Sequence, residues 1–84
     1  MNWETDEGRE AIVAWIKAKM AAKGISYPEL GERLAAAGAP IERTVLHNKI
    51  KRGTFSANFL LQLLSVLDIQ QDFLKEISAH LPKP

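Results

Sequence analysis

Residues 42–59 read ERTVLHNKIKRGTFSANF, and this stretch decides the fold. Leu46 and Ile50 stand four apart on one face of a short helix, while Thr44, His47, Asn48 and Lys51 share the opposite face. Four formal positive charges and no negative one lie between Arg43 and Arg52. The pattern predicts a helix over about 42–52 that stops at Gly53, where a left-handed C-cap carries no Cβ penalty. A second helix is expected at once. Ser56 is a natural N-cap, and Phe55 before it can fold onto Leu60 after it as a hydrophobic staple. A short basic helix is thereby held against an apolar one.

The outward face of that basic helix carries the side chains that read the major groove of B-DNA. Arg43 offers a bidentate donor to guanine, Asn48 a bridge to the adenine edge, and Thr44 a hydroxyl or a methyl contact; His47 lies beside them. Lys49, Lys51 and Arg52 come later, where a helix leaving the groove meets phosphates, and Thr54 and Ser56 follow them. An ordinary solvated helix face would carry many of the same residue types, so what surrounds the helix matters.

The chain has 84 residues, one domain's worth, with termini expected to be frayed over about 1–5 and 82–84. Cysteine is absent, so neither disulfides nor thiolate zinc sites staple it. The net charge is only +1, but it is unevenly spread: Glu4, Asp6, Glu7 and Glu10 lie at the start and the basic cluster lies mid-chain. No apolar run approaches the roughly 18 residues of a membrane span, and the start lacks the basic-then-apolar order of a signal peptide. A cytoplasmic protein without membrane partners is expected.

Taken in order, the first helix should run from about Asp6 to Lys23, capped by Thr5, with Trp3 able to pack back as a lid. Asp6 and Glu7 suit its positive end, and Lys17, Lys19 and Lys23 its negative end. Ile12, Ile16 and Met20 form the expected buried stripe, with Val13 and Trp15 at its edges. After Gly24 the segment GISYPEL carries the clearest helix start. Ser26 and Glu29 make a capping box, Ile25 and Leu30 a staple, and Pro28 sits in the first turn. Leu30 and Leu34 point inward, and Gly31 between them is expected to admit a neighbouring helix. Gly38 closes this helix, and Pro40 is placed to start the third. The fourth, about Ala57 to Leu67, buries Phe59, Leu60, Leu63, Leu64 and Leu67, with Leu61 and Val66 flanking. Ile69 paired with Leu74 should open a fifth helix from about Gln71 to His80, striped by Phe73, Leu74, Ile77 and Leu81 and ended by Pro82. The expected architecture is all-α, a compact bundle of five short helices, without strands or repeats.

Five short helices with a capped second helix, a polar third helix ending in K-R-G and an apolar fourth resemble the lambda-repressor-like helix-turn-helix fold, and within it the Cro/C1-type, or xenobiotic-response-element, regulators. The likeness is carried by GISYPELGERLAAAG, ERTVLHNKIKRG and FSANFLLQLLSVLDI. Leu30, Gly31 and Leu34 stand where that family keeps apolar, small and apolar residues, and Leu46 and Ile50 stand at its inward recognition-helix positions. More narrowly, the chain resembles small uncharacterised bacterial proteins that share an N-K-I-x-R-G-x-F-S-A core under a placeholder domain name. Two departures are visible: the link through AAAGAPIER is longer than the family's tight turn, and the inward pair is spaced by four rather than three. The resemblance implies a bacterial or phage transcriptional regulator that binds double-stranded DNA as a homodimer. It also implies phosphate contacts at the start of the second helix, from Ser26 and Tyr27.

The remaining features have plainer readings. His47 has no partner histidine or carboxylate in the pattern, so neither a metal site nor a general base is expected. Asp68 and Asp72 straddle a helix start, and capping explains them better than calcium. Without a Gly-rich phosphate loop, a Ser/His/Asp set or paired carboxylates, no enzyme, cofactor or small-molecule ligand is expected. Phe73, Ile77 and Leu81 either close the core against the first helix or, with Leu61, form a two-fold interface. The rival to the DNA reading keeps the fold but uses the basic face on an acidic protein partner, as an adaptor or an antitoxin-like accessory protein.

Overall fold

The computed structural model describes residues 3–77. Its order is α1 (Asp6–Lys23), α2 (Tyr27–Ala36), α3 (Arg43–Arg52), α4 (Ala57–Leu67) and α5 (Phe73–Glu76), with no strand among the described residues. The class is therefore all-α.

Local chemistry sets most of the boundaries. The Thr5 hydroxyl accepts from the Gly8 N–H at 3.1 Å, Ser26 from Glu29 at 3.3 Å and Ser56 from Phe59 at 3.1 Å. Each satisfies an N–H that the first helical turn leaves without a backbone partner. Gly24 and Gly53 end α1 and α3 in the left-handed conformation. Asp68 ends α4 in that conformation at φ 56°, so its role lies at a C-terminus.

The fully buried core draws on every helix but α5, which adds the partly buried Phe73. Trp15, Ile16 and Met20 of α1 meet Leu30 and Leu34 of α2, Leu46 and Ile50 of α3, and Leu63, Leu64 and Leu67 of α4. Ile25, Ile69 and Ile77 fill the ends, and Trp3 packs from outside as a partial lid. Helix α2 lies against both α3 and α4, and α1 lies against α3.

Several expectations need correcting. The buried face of α1 runs through Gly8, Ala11, Trp15, Ile16 and Met20, with Ile12 only half-buried. Trp15 is not an edge residue; it is 1% exposed, and its indole N–H has no hydrogen-bond partner among the described residues. The run Ile12–Ile16 is apolar almost throughout, so its periodicity does not choose a direction, and contact with Phe73, ring centroids 5.3 Å apart, chooses it instead. Pro40 does not start α3. It lies in a link without regular structure whose Ile41 packs on the core, and Glu42 is the N-cap.

The last helix differs most. Residues 70–72 form a turn, α5 begins at Phe73, and residues 78–84, with His80 and Leu81, lie outside the described set. Leu74 is 83% exposed and makes no staple with buried Ile69. Asp72 forms no side-chain cap. Its carboxylate instead takes the Lys19 ammonium at 3.0 Å, which Glu76 also binds at 2.9 Å. Lys19 thus ties α1 to this segment, and its pKa is raised, through hydrogen bonds to Glu76 first and Asp72 second. Lys23 adds a bond to the Asp68 carbonyl at 3.3 Å, and Arg33 one to the Val66 carbonyl at 3.0 Å.

Two glycines behave in opposite ways. Gly53 has φ 65°, and a Cβ there would stand 2.8 Å from Val13 Cγ2 and 3.3 Å from the Arg9 carbonyl oxygen. It is the point at which the end of α3 rests on α1. Gly31 admits no close helix approach: its nearest neighbour for a Cβ would be Leu46 Cδ2 at 3.9 Å, an ordinary contact. Gly53→Ala is expected to destabilise the protein by at least about 1–2 kcal/mol, and Gly31→Ala to stabilise it by about 0.5–1 kcal/mol. Thermal unfolding resolves both, since 1 kcal/mol moves the midpoint roughly 4–8 °C in a domain of this size.

Candidate functional site

Helix α3 is ten residues long, and seven of them are polar. It holds its place through Leu46 and Ile50, 1% and 0% exposed, which turn the Thr44–Asn48–Lys51 face to solvent. Arg43, Thr44, His47, Asn48, Lys51 and Arg52 are all exposed.

The structure brings the start of α2 beside the first half of α3. Ser26, Tyr27 and Pro28 line one groove with Arg43, Thr44 and His47. The Tyr27 and His47 rings lie 4.8 Å apart at 49°. The long link of residues 37–42 therefore does not separate the two helices. Burial pushes the Tyr27 phenol above its usual pKa, so it stays a neutral O–H donor at ordinary pH.

Further along, Lys51, Arg52 and Thr54 face α1, where they share a groove with Arg9, Glu10 and Lys17. Arg9 is ion-paired with Asp6 within α1. Two other candidates are differently occupied. Lys49 is turned from the outward face, its ammonium 4.6 Å from the Phe59 ring centroid in a cation–π contact. The Ser56 hydroxyl oxygen accepts the capping bond from the Phe59 N–H, as Ser26 does from Glu29, which leaves the O–H of each able to donate. Phe55 lies 5.7 Å from the Phe59 ring, which makes the entry to α4 an aromatic corner.

Of the apolar residues considered for an interface between copies, Ile77 is buried in the core and Phe73 packs on Trp15, so both close the bundle against α1. Leu61 is exposed, and Leu81 lies outside the described residues.

The first turn of α3 holds a feature that the sequence pattern did not mark. The Glu42 carboxylate accepts from the Val45 N–H at 3.0 Å. Hydrogen bonds from the Thr44 and Val45 backbone hold its carboxyl below the usual glutamate value. A permanent negative charge therefore already sits on the positive end of α3, and no external anion needs to complete that turn. Val45 was also missed: it is 45% exposed on the flank next to Asn48 and Arg52. A helical wheel centred on Leu46 and Ile50 places it there. Lys17 was assigned to the helix end and lines a groove instead; no local signal shows this, because the partner wall is α3.

A family model described as a domain of unknown function, DUF6471, matches residues 9–72. The chain belongs to that family. The DUF6471 match takes in the whole of α2, α3 and α4, and with them every residue of the two grooves around α3 except Asp6. No curated protein and no solved structure matches the chain. Among the described residues no helix is long and apolar enough to cross a membrane.

The Glu42 geometry fixes a pH dependence for this DUF6471 chain. A depressed carboxyl pKa stabilises the first turn of α3 above the ordinary glutamate range, and that contribution is lost as pH falls through the lower, folded-state value. The Val45 amide should therefore exchange faster with solvent as pH falls through the carboxylate range, after correction for intrinsic exchange. In Glu42→Gln this acid-dependent change should disappear. Amide exchange followed by NMR measures both.

Proposed function

We propose that this protein binds double-stranded DNA in a sequence-specific manner as a helix-turn-helix transcriptional regulator, with α3 in the major groove. The observation that carries the reading is the groove shared by Ser26, Tyr27 and Pro28 with Arg43, Thr44 and His47. It sets two hydroxyl side chains that can donate to phosphate, Ser26 and Tyr27, beside side chains suited to base edges. A helix entering the groove with its N-terminal residues needs this arrangement, because phosphate contacts fix the register in which bases are read.

Arg43, Thr44 and Asn48 are the base-reading set, with His47 positioned by its tilted ring contact with Tyr27. Lys51, Arg52 and Thr54 serve the phosphates beyond the end of α3. The absence of any acid between Arg43 and Arg52 supports this division. The reading includes a cytoplasmic, two-fold homodimer, which would set two copies of α3 about 34 Å apart on successive turns of the duplex. Leu61 and Leu74 are the exposed apolar side chains at hand for that contact, since Phe73 and Ile77 are committed to the core.

Selection of bound sequences from a random duplex pool, followed by titration against rising salt, tests the proposal. A shared, palindromic sequence and a steep salt dependence are expected, with log affinity falling by about 0.9 per phosphate contact for each tenfold rise in salt. No binding to any duplex at low salt would overturn the reading in favour of an adaptor that docks an acidic protein. Arg43→Ala and Asn48→Ala should each relax sequence preference at one position, by about 1–3 kcal/mol of discrimination. Lys51→Ala should weaken all sequences alike. Identical behaviour of the three variants would show that the division into base and phosphate contacts is wrong.

A further inference from the structure

The groove between α1 and the end of α3 has a volume of about 580 Å³ and is lined by Lys17, Lys51, Arg52 and Thr54 together with two acids, Glu10 and Asp6, the latter ion-paired with Arg9. A second groove runs from α1 to the start of α2, where Met20 and Ala21 face Ser26, Tyr27 and His47. Lys17 lines both. It is exposed, and among the described residues it makes no ion pair or hydrogen bond. The other lysines of α1 differ: Lys19 holds Asp72 and Glu76, and Lys23 holds the Asp68 carbonyl. Holding the last segment does not require Lys17, and its charge is left facing the grooves around α3.

We propose that Lys17 binds a backbone phosphate of duplex DNA, so that the binding surface extends from α2 and α3 onto α1. The inference rests on the DNA reading given above. A strand that touches both Lys51 and Tyr27 passes Lys17, because Lys17 stands at the junction of the two grooves that lead to them. Alanines at positions 14 and 21, on the same side of α1, keep the surface low around it. Glu10 faces the same path with the opposite charge and limits affinity.

The test measures affinity for one duplex across a range of salt concentrations, with wild type, Lys17→Gln, Lys17→Arg, Glu10→Gln and Lys23→Gln. Lys17→Gln should weaken every sequence alike and make the slope of log affinity against log salt shallower by about 0.9, the value of one phosphate contact. Lys17→Arg and Lys23→Gln should keep the wild-type slope, and Glu10→Gln should bind more tightly at low salt. A Lys17→Gln slope equal to that of wild type, or a Glu10→Gln variant that binds no more tightly, overturns the inference while leaving the DNA reading intact. Wild type that binds no duplex overturns both, and that result is seen before any variant is made.

Discussion

Burial of Leu46 and Ile50 is the constraint on which the rest depends. A helix of ten residues is marginal on its own in water, and α3 has little to offset that, with four cations and no acid inside it. Its stability is borrowed from the core through two side chains one helical turn apart. The same two side chains set its rotation about its own axis, and so decide which residues reach solvent. Gly53 fixes the third coordinate, by letting the end of α3 lie against Val13 and Arg9 of α1. The polar face is displayed because the apolar one is anchored at both ends.

How far the sequence could be read follows from the range of the forces involved. The starts of α1, α2 and α4 were legible because capping is local: a hydroxyl and an N–H three residues on are all it needs. The inward pair of α3 was legible because apolar side chains are few there. The rotation of α1 was not, because Ile12, Val13, Trp15 and Ile16 offer apolar surface on several sides and only the packing partners choose among them. Pro40 suits a helix start by its φ angle, but the partly buried Ile41 packs on the core and Glu42 takes the cap. Leu74 looked inward by spacing, yet the turn at residues 70–72 rotates it outward. Of the candidate site, the residue types on α3 were readable, whereas the shared groove with α2 and the nearness of Lys17 depend on contacts between segments far apart in the chain.

The bundle divides its cations by task. Lys19, Lys23 and Arg33 are drawn to carboxylates or carbonyls at and after the end of α4, where they join α1 and α2 to the last described segment. Lys49 is spent on the ring of Phe59. What remains outward on and around α3 is Arg43, Lys51, Arg52 and Lys17, on a molecule whose formal charge is only +1. Most of the acids that balance the total lie at the start of α1 and from Asp68 to Glu76, whereas Glu42 caps α3 itself, so the positive charge is concentrated on the outward face and last turn of α3.

Trp15 carries a different implication. Its indole nitrogen is buried and has no hydrogen-bond acceptor among the described residues, and the ring belongs to the core cluster. The other tryptophan, Trp3, lies half-covered at the rim. An indole in dry apolar surroundings emits at shorter wavelength than one that meets solvent, so the two rings give separable light. The native chain thus contains a built-in optical gauge of whether its interior is intact, readable without any label attached to the outward face of α3.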